Sequence, residues 1–206
     1  MTTNRVVYNT EDRRILTNIT KGNNSKRREV VLTFDDGPSK YLELFLDVLK
    51  EEEVRAHFFW EARLLHHKRP WKRVLEEGHQ IGTHGHRHYN LTKFTLDRQI
   101  VELKKSIKAI EQITSNKVHY FRPPFGQYNE DTIKAAQNLG LQTVLWEIAS
   151  LDWELKEKPS QIIDNVVDYL QDGAIILLHE LQQTLEVLPD LIKEIKKAGY
   201  SFRTLN

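Results

Sequence analysis

Between Glu29 and Arg203, short apolar runs alternate with amphipathic stretches, and that alternation restricts the chain to a parallel sheet covered by helices. Val30–Phe34, Ala56–Trp60, Gln80–Thr83, His119–Phe121, Gln142–Ile148, Ala174–Leu178 and Ser201–Arg203 read as strands. Helical spacing of apolar residues predicts helices over Lys40–Glu53, Pro70–Glu77, Leu96–Thr114, a segment capped by Asn129 and stopped at Gly140, Pro159–Leu170, and about Thr184–Ala198. That makes about seven βα units, a number that closes most readily into an α/β barrel. Residues 1–28, with Thr17, Asn18, Thr20, Gly22, Asn23, Asn24, Ser25 and the basic Lys26, Arg27 and Arg28, read as an N-terminal extension before a single domain over residues 29–206.

A chain of 206 residues is long enough for one sizeable core. Its 30 basic and 29 acidic side chains nearly cancel, so no overall field argues for nucleic acid or a membrane surface. The absence of cysteine excludes disulfides and thiolate metal sites. No apolar run approaches the roughly 20 residues that cross a bilayer. The first residues, MTTNRVVYNTEDRR, are polar and lack the apolar stretch of a signal peptide, which leaves cytoplasmic and exported locations both open. A monomer is expected.

Chemistry gathers where strands end. Asp35 and Asp36 close the first strand before a Gly37-Pro38 breaker, and a chain turning through Gly37 lets adjacent carboxylates splay toward different tasks. His84 and His88 stand four apart after the third strand, and two imidazoles with one carboxylate form a standard open zinc arrangement, with Asp36 as the third ligand and His86 as a bystander. A divalent cation needs a base and an acid beside it; Asp35 and His179 fit these roles, with Asp152 fixing the His179 tautomer. Arg122, before two prolines, is placed to hold the Asp35 carboxylate in register and keep its pKa low, while the Phe125 backbone amide, in the turn made by Pro124 and Gly126, points at a developing oxyanion. Trp153 either walls a sugar-sized groove or fills core. Taken singly, each residue has an ordinary structural role in a turn, a cap or the core. Their shared position at C-terminal strand ends, the face where parallel barrels build active sites, is what argues for function.

These residues resemble the polysaccharide deacetylases of carbohydrate esterase family 4, the NodB homology domain. The resemblance runs from about Glu29 to the C-terminus, through TFDDGP at Thr33–Pro38, His84 with His88, RPPFG at Arg122–Gly126, SLDW at Ser150–Trp153, and LLH at Leu177–His179. It implies a distorted, TIM-barrel-like (β/α) barrel and metal-dependent removal of N-acetyl groups from an N-acetylglucosamine-containing polymer or oligomer, peptidoglycan or chitin-like. Acetylated xylan is the other substrate class in the family. It also implies that Asp36, His84 and His88 bind the metal, most often zinc with cobalt or nickel as alternatives, that Asp35 is the base and His179 the acid, that Asp152 tunes His179, and that Arg122 orients Asp35. Leu177 and Trp153 would shape the acetyl pocket, with Pro124 and the Phe125 amide on the substrate side. Three positions depart from the pattern: Gly85 for a usual Ser or Thr, Phe125 for Tyr, and Ala149 for Asp. None is a principal catalytic group. The alternatives are a noncatalytic carbohydrate-binding relative and a haloacid-dehalogenase-type phosphotransferase; the latter needs aspartates two apart and a magnesium with a lysine, whereas Asp35 and Asp36 are adjacent and accompanied by histidines.

Overall fold

In the computed structural model, which describes residues 5–20 and 28–205, the apolar runs become strands of one curled parallel sheet. Residues 22–27 of the expected N-terminal loop lie outside the described residues. The elements are β1 (Ile15–Leu16), β2 (Glu29–Gly37), α1 (Leu42–Glu51), β3 (His57–Trp60), α2 (Trp71–Glu76), β4 (Gln80–Thr83), α3 (Leu96–Thr114), β5 (Tyr120–Phe121), α4 (Glu130–Asn138), β6 (Gln142–Val144), β7 (Ile148–Ala149), α5 (Gln161–Val167), β8 (Ile175–His179), α6 (Gln182–Lys197) and β9 (Ser201–Phe202). The strands pair in the order β1, β6, β5, β4, β3, β2, β8, β7, with β9 beside the start of β2. This is the distorted (β/α) barrel.

Side-chain alternation divides the core into two layers. Val30, Leu32 and Phe34 of β2 belong to the large outer cluster with Leu42, Phe45, Leu46 and Leu49 of α1 and Leu188, Leu191 and Ile192 of α6. Those α1 positions recur every three or four residues, so one helix stripe is buried. Between them Val31, Phe59, Val144 and Ile175 form a separate inner cluster. Each fully buried side chain of this size contributes about 1.5–3 kcal/mol. Thr33 and Asp35 share the inner face with Val31, so β2 delivers its first carboxylate into the barrel.

Two features differ from the sequence reading. The expected strand Gln142–Ile148 is split: β6 pairs with β5 and β1, and β7 crosses to the other side and pairs with β8. Leu145, Trp146 and Glu147 carry the chain between these partners, because β5 and β1 occupy both edges of β6 and leave none for β8. The N-terminal segment fills the seam that results. β1 runs parallel to Thr143 and Val144, the Ile175 amide donates to the Thr17 carbonyl at 3.3 Å, and the Ile19 amide donates to the Gly173 carbonyl at 2.9 Å. The Asn18 amide donates to the buried Glu147 carboxylate at 2.6 Å and to the Asp172 carbonyl at 2.8 Å.

The barrel also buries two histidines, His57 and His79. Burial and the nearby Arg122 charge pull His57 down to about 3, and burial, against the attraction of Glu77, pulls His79 down to about 4. Both values lie below the 6.5 of a free histidine, so as pH falls the unfolded chain takes up these protons first. Their contribution to stability is complete above about 6.5 and drains away as pH drops toward 3 to 4. Urea midpoints measured from pH 8 to pH 4 are expected to fall below 6.5, and to fall less steeply in His57→Gln; an equal slope in the two proteins would refute this origin.

Candidate active site

Every candidate side chain stands at or just beyond the C-terminal end of a parallel strand: Asp35 and Asp36 on β2, His84 and His88 after β4, Arg122 after β5, Asp152 after β7 and His179 ending β8. The parallel register sets Asp35 beside Phe59 on one side and His179 on the other. A β-bulge then falls between Asp35 and Gly37, and Asp36 is the extra residue. Its φ is 65°, so the turn expected through Gly37 begins one residue earlier, with Asp36 in the left-handed region. A non-glycine residue held there costs about 1–3 kcal/mol. The strain separates the two carboxylates: Asp35 is buried in the barrel, while the Asp36 side chain stays 41% exposed at the rim.

One carboxylate and two imidazoles meet at that rim. Asp36 Oδ1 is 3.6 Å from His84 Nε2 and 3.4 Å from His88 Nε2, and donor atoms of the three residues all lie within 4.8 Å of one another. His86, between the two histidines, is outside this group. His84 Nδ1 donates to the Arg122 carbonyl at 2.7 Å, which fixes the proton on that nitrogen and leaves Nε2 as a free lone pair. Burial pulls His84 down to about 3, opposed by Asp36, so the ring is neutral. Asp36 Oδ1 is buried without a hydrogen-bond partner, as expected of an oxygen kept for a cation. This donor set fits a divalent metal.

Arg122 lies in the barrel, fully buried. Its Nη1 donates to Asp35 Oδ1 and Thr33 Oγ1, both at 2.7 Å, its Nη2 donates to the Leu145 carbonyl at 3.0 Å, and the guanidinium lies over the Phe59 ring at 4.2 Å. Arg122 does hold Asp35, but the expected low pKa is not found. Complete burial pushes the Asp35 carboxyl above the usual aspartate range, against the opposing pull of Arg122 and His179. The free oxygen, Oδ2, sits 3.7 Å from His84 Nε2.

Across the site, Asp152 is sealed from solvent and takes three hydrogen bonds: from the His179 backbone amide at 2.7 Å, His179 Nδ1 at 2.7 Å and Thr184 Oγ1 at 2.6 Å. Burial opposes charge on His179, yet Asp152, with Asp35 and Asp36 behind it, outweighs burial and pushes the ring up to about 9. His179 is therefore charged at neutral pH, with Nε2 turned to the site 3.9 Å from Asp36 Oδ2. Two exposed aromatics flank the pair. Phe125 meets His88 edge-on at 4.3 Å, and Trp153 meets His179 edge-on at 5.2 Å. Phe125 and Leu151 share the left-handed φ of Asp36, so three of the five non-glycine residues with positive φ among the described residues border this site. Pro124 is buried beneath Phe125, and Leu177 is buried in register with Thr33 and Ala149. Gly85 has φ +83°, a conformation that suits glycine, and its amide donates to Thr83 Oγ1.

Sequence reasoning missed Thr33, Thr184 and Glu180. Glu180, next to His179, is 3% exposed and accepts from the Ser39 amide at 2.7 Å and from Trp60 Nε1 at 3.0 Å. Burial pushes its carboxyl up to about 7 against these donors. Nothing in its spacing marked it; the only signal was an acidic residue directly after a wholly apolar strand.

A family model of polysaccharide deacetylases matches residues 22–144. The chain is similar to the peptidoglycan-N-acetylmuramic acid deacetylase PdaA of Bacillus subtilis (strain 168), 34% identical over 189 residues that span 89% of this chain and 72% of the relative. Among solved structures, the peptidoglycan N-acetylglucosamine deacetylase Bc1960 superposes with a TM-score of 0.83 at 30% identity, covering 93% of this chain and 90% of that one. BA3943 of Bacillus anthracis, a pseudoenzyme of carbohydrate esterase family 4, superposes with a TM-score of 0.80 at 28% identity, covering 88% and 66%.

Removing Arg122 is expected to leave the Asp35 charge buried and uncompensated. Arg122→Met should lower the unfolding free energy at pH 7 by about 3–5 kcal/mol, and adding Asp35→Asn should restore part of the loss. Chemical denaturation of the single and double variants checks this; a double variant no more stable than Arg122→Met would rule out the ion pair as the cause.

Proposed function

Since the chain belongs to the polysaccharide deacetylase family, carbohydrate esterase family 4, we propose that it hydrolyses N-acetyl groups on an N-acetylglucosamine-containing glycan, peptidoglycan or a chitin-like oligomer. The observation that carries this reading is the pair of proton-transfer groups flanking one rim, each held by a partner of opposite charge: a buried Asp35 carboxylate held by Arg122, and a His179 imidazolium held by Asp152. Asp36, His84 and His88 are the proposed ligands of a divalent cation, zinc by preference, with cobalt and nickel as alternatives. When bound there, such a cation supplies the acidity that makes water a nucleophile at neutral pH and polarises an acetyl carbonyl.

The remaining work falls to side chains. Asp35 Oδ2 accepts the proton of the attacking water, and Arg122 keeps the carboxylate pointed at it. Burial raises the Asp35 pKa against the pull of the guanidinium at 2.7 Å, and a carboxylate above its usual range is a stronger base. His179 Nε2 donates the proton that the departing amine requires, and Asp152 keeps that nitrogen protonated by holding Nδ1. Trp153 and Phe125 offer flat apolar walls to a sugar ring, with Leu177 and Pro124 behind them on the acetyl side. The similarity to a peptidoglycan N-acetylglucosamine deacetylase and to a peptidoglycan-N-acetylmuramic acid deacetylase supports the amino-sugar reading. The presence of both proton-transfer groups supports turnover over noncatalytic sugar binding.

Purified protein incubated with N-acetylglucosamine oligomers, peptidoglycan fragments and acetylated xylan is expected to release acetate from amino sugars. Mass spectrometry then reads which ring loses 42 mass units, about the mass of an acetyl group replaced by hydrogen, the outcome of a general acid–base hydrolysis. Chelation should abolish release, and Asp35→Asn should reduce it about 10²–10⁴-fold. A folded, metal-loaded protein that releases no acetate would instead be a carbohydrate-binding relative.

The pH profile tests the acid. Activity should fall as pH rises through the His179 pKa, about 9. In Asp152→Asn the lost charge should move that alkaline limb toward the 6.5 of a free histidine. An unmoved limb would exclude His179 as the proton donor.

A further inference from the structure

Glu180 sits outside the three-residue cluster at the rim, yet it holds both flanks of the residue that cluster depends on. Its backbone amide donates to the Asp35 carbonyl at 3.3 Å, and its Oε2 accepts the Ser39 amide at 2.7 Å. Between those two anchors the chain makes the bulge in which Asp36 adopts φ 65°. Within that span the Gly37 carbonyl accepts from the Glu61 amide at 2.9 Å, and at its end Arg69 Nη1 donates to the Ser39 carbonyl at 2.9 Å. Oε1 of Glu180 is in turn fixed by Trp60 Nε1 at 3.0 Å, so each carboxylate oxygen accepts an N–H. Gly37 makes the arrangement possible, since a Cβ there would come within 1.7 Å of Glu180 Oε1.

We infer that Glu180 is a positioning residue for Asp36: its carboxylate clamps the bulge that turns Asp36 toward His84 and His88, and so sets the affinity of the site for a divalent cation. This role rests on the reading of those three residues as the cation's ligands. Only a carboxylate suits the place, because two N–H donors converge on it. Gln offers one oxygen and confronts the second donor with an N–H of its own, which weakens the clamp without changing the volume. Loss of such an outer partner typically costs a metal site ten- to a hundredfold in affinity.

The test titrates metal-free protein with zinc in competition with a chromophoric chelator, and follows cobalt loading by its visible absorption. Glu180→Gln is expected to bind zinc at least about tenfold more weakly than the parent, with an altered cobalt spectrum. Trp60→Phe, which removes only the donor to Oε1, should weaken binding by a smaller factor, and Gly37→Ala, which crowds Oε1, should move in the same direction. Wild-type zinc affinity in Glu180→Gln and Trp60→Phe, both with the parent's circular dichroism, would overturn the proposal. Should Glu180→Gln fail to fold, wild-type affinity in Trp60→Phe alone would do so. Asp36→Ala separates the two levels: if it still binds zinc normally the metal centre itself is refuted, whereas if it loses zinc while the Glu180 and Trp60 variants do not, only the clamp is.

Discussion

A guanidinium sealed inside a small barrel has to be neutralised where it lies, and much of the site follows from how Arg122 meets that demand. Asp35 supplies the charge at 2.7 Å, and Thr33 and the Leu145 carbonyl take the remaining donors named above. This binds the end of β2 to the ends of β5 and β6 and fixes one carboxylate on the inner face. The strand's register then shifts at the next residue. The bulge at Asp36 releases the second carboxylate to the rim, at the expense of a left-handed backbone. One buried ion pair thus divides two neighbouring aspartates into an interior group and a surface group.

A similar division separates two histidines. His84 gives its Nδ1 proton to a carbonyl, which carries no net charge, and the ring stays neutral. His179 gives its Nδ1 proton to a carboxylate, and the ring is charged. His84 is buried and His179 largely so, and the partner of the inward nitrogen decides what the outward nitrogen can do. A lone pair faces the rim on one side and a proton faces it on the other. Thr184, by donating to the Asp152 oxygen that also takes the His179 amide, keeps that second carboxylate from turning away.

The strands, most helices and the candidate residues were legible because each apolar run ends abruptly in a residue that does not belong in a core. The capping box at Asn129 and Thr132 similarly marks a helix start by chemistry that needs no tertiary context. What was not legible depended on contacts distant in sequence. The break at residues 145–147 is hidden because Leu145 and Trp146 continue the apolar run, although the sheet changes partners there. Asp36 was masked by Gly37, the residue that composition nominates for a left-handed turn. Sequence reveals the charge of Arg122 but not the burial of Asp35, and so predicts the wrong direction for that carboxyl. Ile15 and Leu16 form too short an apolar pair in a polar stretch to register as a strand.

That short pair alters what counts as the unit of inheritance. The segment before Glu29 carries no site residue, yet it is stitched to β6 on one side and to the start of β8 on the other, where it fills the seam left when the sheet changes partners. Transplanting the motif-bearing portion alone into another polypeptide would open a groove along the barrel wall and take from the buried Glu147 carboxylate the hydrogen bond that the Asn18 side-chain amide donates to it. The leading residues are therefore a stave of the barrel, and a recombination boundary belongs upstream of Val6, whose carbonyl already holds Ala149.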